Sequence, residues 1–263
     1  MTSSFHGRTI GALSVGSNKK YKSDIGPVPG KVKFCKFNDV SHLKKLVNKK
    51  TVAIIIEFVQ GDGGINICSK NFAKAIKEIC INKKVLLIGD EIQGGIGRTG
   101  KIFAYKHYGV NPDIITSAKG LGSGIPIGAT IVKKYISKMI STGFHGSTFG
   151  GGMLQTRVSY NVLKSINKKA FLNKVKINGK FLSNLLKKMH NDHKDKIVDT
   201  RCLGLMAGIE FKTNEIALKT FTKMANNGLI TTLIQGNIIR ITPPLIINKK
   251  ELNNGLDLSL IHI

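Results

Sequence analysis

The stretch that decides the fold is VLLIGDEIQGGIGRTGKIFAYKHYGVNPDIITSAKGLG, residues 85–122. It opens with a short apolar run, residues 85–88, which predicts a buried parallel strand that ends near the carboxylate of Asp90. A second β-rich run, residues 113–116, is followed within three residues by Lys119. Because ligands gather at the carboxyl ends of the strands in open α/β sheets, we expect Asp90 and Lys119 to share one site.

The small residues that follow Lys119 indicate what this site binds. Gly120, Gly122 and Gly124 leave room for a bulky group at the lysine amine. An amine and a carboxylate in one site suit pyridoxal phosphate. The lysine forms a Schiff base with it, and the carboxylate keeps the ring nitrogen protonated, so that the ring can draw electrons. The sequence therefore predicts Lys119 and Asp90 as catalytic residues of a pyridoxal-phosphate site. The histidines share no metal-binding spacing, so no metal is expected.

The composition argues against several other classes of protein. With 263 residues, of which 41% are hydrophobic, the chain is long enough to bury a sizeable core. The formal net charge of +26 comes largely from lysines spread in pairs, without interleaved aromatic residues, so we expect no specific nucleic-acid partner. The cysteines show no CxxC spacing, and no apolar run is long enough to span a membrane, which favours a cytoplasmic protein with reduced thiols.

Several motifs together resemble those of class III aminotransferases. The central ones are DEIQ-x-G-x-GRTG, which begins at Asp90, and AKGLG-x-G-x-PIGA, which contains Lys119. Flanking segments resemble the acetylornithine branch of that family: SFHGRT at 4–9, EFVQGDGG at 57–64, HGSTFGG at 145–151 and IRITPPL at 239–245. The resemblance implies an α/β protein of the pyridoxal-phosphate-dependent transferase fold type I, with a mostly parallel large-domain sheet and a C-terminal α+β small domain.

The resemblance also divides the chain. Residues 1–152 correspond to the later part of the cofactor-binding large domain, and residues 153–257 to a linking helix and the C-terminal small domain. The SFHGRT motif lies well inside other family members. We therefore expect an N-terminally truncated chain that lacks the opening strands and a phosphate-binding loop and is inactive alone. Residues 258–263 interrupt the last helix of the family pattern, and we expect them to be a non-native tail.

The resemblance assigns further side chains to the cofactor. Phe5 stacks on the pyridine ring, and Gln93 contacts the 3′-oxygen; ordinary core packing for Phe5 and a turn position for Gln93 are the alternatives. His6 belongs to the same group and favours the acetylornithine branch, because ornithine-specific members usually carry Trp there. Ser147 and Thr148 reach the phosphate of the neighbouring subunit's cofactor, which implies a homodimer with shared active sites.

The resemblance also assigns a second group of residues to the substrates. Arg8 and Arg240 grip substrate carboxylates, since a guanidinium matches a carboxylate with two parallel hydrogen bonds. Asp62 stands where most family members have Glu; it pairs with Arg240 and swings away when a dicarboxylate binds. Its arm is one methylene shorter, so we expect a looser resting pair. Glu57 belongs to the same substrate-facing group.

The resemblance implies transfer of the δ-amino group of N-acetylornithine to 2-oxoglutarate, as in arginine biosynthesis. Lys119 would hold the cofactor and then move a proton between substrate atoms. Succinyldiaminopimelate, succinylornithine, ornithine and 4-aminobutyrate stay open as alternative amine donors. The charge leaves a different interpretation open, in which the chain is an inactive, basic, anion-binding fragment.

Overall fold

The computed structural model describes the backbone of residues 1–260 and the side chains of residues 1–257. Two four-stranded sheets and one two-stranded sheet organise this part of the chain. The strands of the first sheet are β1 (Ala53–Ile56), β4 (Leu86–Asp90), β5 (Ile114–Ser117) and β6 (Ala129–Val132). The strands of the second are β7 (Ile197–Leu203), β8 (Met206–Phe211), β9 (Thr232–Ile234) and β10 (Ile238–Ile241). The small sheet pairs β2 (Val59–Gln60) with β3 (Asn66–Ile67).

Helices connect and cover these sheets. In chain order they are α1 (Ile10–Val15), α2 (Val40–Leu46), α3 (Lys70–Lys83), α4 (Lys134–Ser137), α5 (Met153–Ile166), α6 (Lys169–Asp192), α7 (Asn214–Asn226) and α8 (Lys249–Leu260). Helix α3 begins where the Ser69 side chain accepts a hydrogen bond from the Phe72 amide at 3.1 Å, and α7 begins in the same way at Thr213. Gly228, with φ of +81°, follows the end of α7, where a left-handed conformation favours glycine.

The first sheet has the strand order β1-β4-β5-β6, and the connection between β1 and β4 runs through α3. Strands β1, β4 and β5 are parallel, while β6 is antiparallel to β5, so the expected mostly parallel sheet is confirmed. Apolar side chains such as Ile56, Phe72 and Ile76 are fully buried around it. Asp90 pairs in register with Thr116, so the carboxyl ends of β4 and β5 lie side by side.

The second sheet is antiparallel, with the order β7-β8-β10-β9. Its core combines strand residues such as Phe211 and Ile239 with Leu182 and Leu186 of α6 and Leu252 of α8. Each fully buried side chain of this kind contributes on the order of 2 kcal/mol. The exposed side of α6 carries lysines, so its apolar stripe is used in packing while its polar face meets water. This antiparallel layer with its helices is the expected α+β arrangement.

Two arginines tie the second sheet to the loops that follow the first. Arg98 Nη1 donates to the carbonyl of Leu205 at 3.0 Å and to that of Pro243 at 2.5 Å. Arg201 Nη1 donates to the carbonyl of Gly64 at 2.6 Å. These contacts fix the end of β10, which carries Arg240, relative to the carboxyl ends of β4 and β5.

The last helix extends into the segment expected to be a non-native tail. Helix α8 continues through Leu260, and the native or non-native origin of residues 258–263 stays a prediction. Residues 261–263, the rest of the expected non-native tail, lie outside the described residues. None of the helices described here is both long and apolar enough to cross a lipid bilayer.

Candidate functional site

The site is built around Asp90, the last residue of β4. Its side chain is buried, and Oδ1 accepts hydrogen bonds from Thr116 Oγ1 at 3.0 Å and from the Ile92 amide at 3.1 Å. His6 Nδ1 donates to Oδ2 at 2.7 Å. An ionised carboxylate offers about four acceptor positions, so one on Oδ2 is left for a further donor.

The neighbouring carboxylate, Glu91, has a different environment. Its oxygens accept from the amides of Ala104 at 2.7 Å and Tyr105 at 2.8 Å, and all three residues are buried. Burial raises the pKa of Glu91 to about 7 in spite of these two amides. Glu91 therefore organises the loop after β4, whereas Asp90 faces the site.

Lys119 follows β5 in a strained backbone conformation, with φ of +46°. A non-glycine residue in this region costs about 1 kcal/mol or more, and such strain concentrates at functional positions. Desolvation by the surrounding protein lowers the pKa of the Lys119 amine, and the charge of Arg240 lowers it further. The negative charges of Asp62, Glu57 and Asp90 oppose this shift. In the part of the chain that the structure describes, no acidic side chain forms an ion pair with Lys119.

A second cluster joins the loop after β2 to β10. Arg240 Nη1 donates to Asp62 Oδ1 at 2.6 Å and to Gln93 Oε1 at 3.1 Å. Gln93 Nε2 in turn donates to Asp62 Oδ2 at 3.3 Å. The predicted pair of Arg240 and Asp62 is thus in contact. Although the aspartate side chain is one methylene shorter than glutamate, the distance of 2.6 Å between Nη1 and Oδ1 is that of a close pair. Gln93, expected only at the cofactor, is the unexpected member of this cluster.

Glu57 connects the two clusters. It is buried, with Oε1 accepting from the Phe5 amide at 3.0 Å and Oε2 from the Gly61 amide at 3.4 Å. Burial raises the pKa of Glu57 to about 8, an effect that the Phe5 amide opposes and the Asp90 charge reinforces. The side chain expected to touch substrate therefore holds two loops together in this structure.

Arg8 and Phe5 lie together against the ring of Tyr21. The guanidinium carbon of Arg8 is 3.9 Å from the ring centroid of Tyr21, and the Phe5 ring meets the Tyr21 ring edge-on at 6.0 Å. Arg8 is exposed, and no acidic side chain among the described residues pairs with it. Its charge is therefore available to an incoming carboxylate. Tyr21 ends a short 3-10 helix, Lys19–Tyr21, and no sequence signal pointed to it.

Ser147 and Thr148 are not part of these contacts. They lie in the loop 141–151, in which every residue is exposed. The structure therefore brings together Phe5, His6, Arg8, Glu57, Asp62, Asp90, Gln93, Lys119 and Arg240 in two linked clusters, and leaves these two residues apart.

The residues present fit pyridoxal phosphate. Lys119 supplies an amine without an acidic partner in the described chain, and Asp90 supplies a buried carboxylate with a vacant acceptor position. The buried Nε2 of His6 also has no hydrogen-bond partner among the described residues. These groups suit the covalent attachment and the ring nitrogen of the cofactor. Within residues 1–257, no group of three or more potential ligands could hold a metal ion.

Comparisons with curated proteins agree with this chemistry. Residues 1–262 match the family described as Aminotransferase class-III. The chain is 40% identical over 264 residues to acetylornithine aminotransferase of Methanocaldococcus jannaschii, covering 98% of this chain and 65% of that protein. It is 41% identical over 254 residues to ornithine aminotransferase 1 of Staphylococcus saprophyticus, covering 96% of this chain and 63% of that protein. The chain thus spans less than two thirds of the length of these relatives.

Solved structures give the same result for the fold. The ornithine aminotransferase of Toxoplasma gondii superposes with a TM-score of 0.93 at 28% identity, covering 99% of this chain and 63% of that one. A second structure of that enzyme contains pyridoxal phosphate at partial occupancy in its active site. A transaminase from the marine bacterium Virgibacillus superposes with a TM-score of 0.91 at 27% identity, covering 99% of this chain and 66% of that one. From its fold, its site and its sequence, the chain belongs to the class III aminotransferases, whose cofactor is pyridoxal phosphate.

Proposed function

We propose that this chain carries the site of an ω-aminotransferase that moves the δ-amino group of N-acetylornithine to 2-oxoglutarate, as in arginine biosynthesis. The observation that carries the proposal is the contact between Arg240 and Asp62 in the same site as Lys119. It answers a problem that this pair of substrates raises, because one pocket must accept first a molecule with one carboxylate and then a molecule with two.

Two arginines divide this task. Arg8 has no acidic partner in the described chain and serves one carboxylate in each half-reaction. Arg240 is needed only for the second carboxylate of 2-oxoglutarate. A half-buried guanidinium without a counter-charge is unfavourable, so Asp62 neutralises Arg240 while the amine donor is bound.

Lys119 and Asp90 perform the chemical steps. Bound pyridoxal phosphate supplies an electron sink for the substrate carbon. Lys119 holds the cofactor, and its Nζ then moves a proton between substrate atoms. Its lowered pKa increases the fraction of the unprotonated amine that can accept this proton. Asp90 keeps its negative charge toward the ring nitrogen, and His6 fixes the orientation of the carboxylate.

The choice of amine donor is the finer part of the proposal. The relatives with about 40% identity are named as acetylornithine, ornithine and succinylornithine enzymes, which supports ω-amino donors as a class. His6 supports the acetylornithine branch, since the resemblance places Trp there in ornithine-specific members. Succinyldiaminopimelate, succinylornithine, ornithine and 4-aminobutyrate are the alternatives, and relative rates with each donor separate them.

A homodimer completes the proposed site. The segment 139–154 exposes large apolar side chains that a monomer would leave in water, namely Met139 (80%), Phe144 (74%), Phe149 (84%) and Met153 (89%). Contiguous exposed apolar surface of this kind marks an interface. We propose that these side chains pack against a second copy of the chain, in which Ser147 and Thr148 reach the partner's cofactor phosphate. We also propose that the division into domains falls at residues 152 and 153.

Replacing the proposed cofactor lysine tests the function most directly. In a chain extended to the full length of its relatives, we expect Lys119→Ala to abolish both transamination and the visible absorbance of the lysine-bound cofactor, with the circular dichroism spectrum unchanged. Lys134→Ala, which removes an exposed lysine at the start of α4, is the matched control and should retain both. Retained absorbance in Lys119→Ala would show that another lysine holds the cofactor.

The alternative function is tested on the wild-type protein. If that protein never acquires the absorbance of the lysine-bound cofactor but binds nucleic acid in a salt-dependent way, the interpretation as an anion-binding fragment is favoured.

A further inference from the structure

Gln93 has an environment that its place in the chain did not predict. It lies in the turn after β4, three residues beyond Asp90, yet its carboxamide contacts the pair formed by Asp62 and Arg240. Asp62 and Arg240 come from the loop after β2 and from β10. Gln93 is therefore the point at which the cofactor end of the sheet touches the substrate-facing pair.

The hydrogen bonds fix which way the Gln93 carboxamide points. Its Oε1 accepts from Arg240 Nη1 at 3.1 Å, and its Nε2 donates to Asp62 Oδ2 at 3.3 Å. A flipped amide would place its donor against the guanidinium and its acceptor against the carboxylate, which is unfavourable for both. Because Nη1 carries two hydrogens, it can serve Asp62 and Gln93 at once. The three side chains thus form a closed ring of matched donors and acceptors.

Gly61 provides the space for this arrangement. A Cβ atom at Gly61 would overlap the carboxamide of Gln93. The backbone of Gly61 does not have positive φ, so a left-handed conformation is not the reason for a glycine here. The absence of a side chain at this position lets the carboxamide approach the loop that carries Asp62.

We propose that Gln93 is a positioning residue that locks Asp62 onto Arg240 and so sets how readily a dicarboxylate displaces Asp62. This inference rests on the proposed function, in which the second carboxylate of the amino acceptor binds Arg240. When Asp62 leaves, the bond from Gln93 Nε2 to Asp62 is broken. The bond from Arg240 to Gln93 Oε1 can persist, because the guanidinium has further N–H groups for the incoming carboxylate. Gln93 therefore stabilises the closed pair more than the open one.

Two five-carbon ligands measure this effect without turnover. Glutarate has two carboxylates and no carbonyl group to transaminate, and valerate has one carboxylate on a chain of the same length. Their dissociation constants are measured by calorimetry on the cofactor-loaded protein, and the ratio of the two affinities is the readout. A change that merely loosens the site or the cofactor alters both ligands alike and cancels in this ratio.

Gln93→Met keeps the size of the side chain and removes both hydrogen bonds. We expect it to raise the affinity for glutarate relative to valerate by roughly tenfold, the effect of one hydrogen bond to a charged group. Gly61→Ala should shift the ratio in the same direction, since it displaces the carboxamide while Gln93 stays glutamine. In an Asp62→Ala background, Gln93→Met should leave the ratio unchanged, because the bond from Gln93 to Asp62 no longer exists and the bond from Arg240 to Gln93 can persist with either ligand.

Gln235→Met is the matched control. Gln235 Nε2 donates to the backbone carbonyl of Asp62 at 2.6 Å but does not touch the carboxylate, so its loss should leave the ratio unchanged. A ratio that is unchanged or falls in both Gln93→Met and Gly61→Ala overturns the role of Gln93 while leaving the proposed function intact. Wild-type protein that binds valerate but not glutarate overturns both the dicarboxylate acceptor and the role of Gln93.

Discussion

Two hydrogen-bonded pairs that each contain a carboxylate lie in this site, and they differ in how free they are to change partners. His6 and Asp90 are almost fully buried, with side-chain exposures of 2% and 5%, and neighbouring groups satisfy most of the carboxylate. Arg240 and Asp62 retain exposures of 18% and 34%. A buried carboxylate is costly to leave without its hydrogen-bond partners, whereas partial solvation lowers the cost of exchanging one partner for another. The comparison suggests a fixed charge for the cofactor and an exchangeable charge for the substrate.

Breaking the buried pair should have the largest effect. Asp90→Asn keeps the shape of the side chain and removes the negative charge that faces the cofactor ring. Because that charge is needed whichever substrate is bound, we expect both half-reactions to slow by a similar factor, on the order of 10²–10³. Single-turnover absorbance measurements of each half-reaction test this. A loss confined to one half-reaction would contradict a fixed role for Asp90.

Breaking the half-exposed pair should have a smaller and one-sided effect. Arg240→Ala removes the group that binds the second carboxylate, so we expect the 2-oxoglutarate half-reaction to lose at least about 2 kcal/mol, roughly thirtyfold. The half-reaction with N-acetylornithine should change far less. The same single-turnover measurements compare the two. Equal losses in both halves would mean that Arg240 supports the structure generally and that no exchange of partners occurs.

Glu57 links the two pairs. It accepts hydrogen bonds from the amide of Phe5, next to His6, and from the amide of Gly61, next to Asp62. Its pKa is about 8 in the folded protein and 4.5 ordinarily, so between these pH values only the folded state keeps the proton. Its contribution to stability is therefore complete at low pH and falls by at most about 1.4 kcal/mol per pH unit until the folded carboxyl also ionises.

Glu57→Gln removes this titration while keeping a hydrogen-bond acceptor. We expect the wild-type protein to lose free energy of unfolding relative to Glu57→Gln as the pH rises from 5 to about 8, a total difference of a few kcal/mol. Urea unfolding at a series of pH values gives the difference between the two proteins, which cancels the contribution of Glu91. Parallel stability curves would show that Glu57 is already ionised in the folded state.

Local sequence was sufficient to place Asp90 and Lys119 in one site. Short β-branched runs predicted β4 and β5 within a residue or two, since a buried parallel strand requires continuous apolar residues. Asp90 and Lys119 follow these runs directly, so their shared location came from strand ends alone. Local sequence gave no signal for the end of helix α8, where residues 258–260 lack the family pattern and still continue the helical backbone.

The exchangeable part depends on contacts that no local pattern contains. Gln93 and Arg240 are 147 residues apart in the chain, and their hydrogen bond exists only because the second sheet packs beside the first. The stacking of Arg8 on Tyr21 likewise depends on how the chain turns back after α1, which brings the short 3-10 helix Lys19–Tyr21 against Arg8. Sequence reasoning supplied the pair of Arg240 and Asp62 through the family resemblance, but it gave no signal for the third partner.

The joint between the two sheets has a consequence for behaviour in concentrated salt. Arg98 bridges the sheets by donating to the neutral carbonyls of Leu205 and Pro243. Burial lowers its pKa to about 10, so the guanidinium stays charged near neutral pH. The same burial limits its contact with ions in the solvent. Mobile ions screen half-exposed charge pairs far more than buried hydrogen bonds. A rise in ionic strength should therefore weaken the contact between Arg240 and Asp62 while the joint that holds Arg240 in place is preserved.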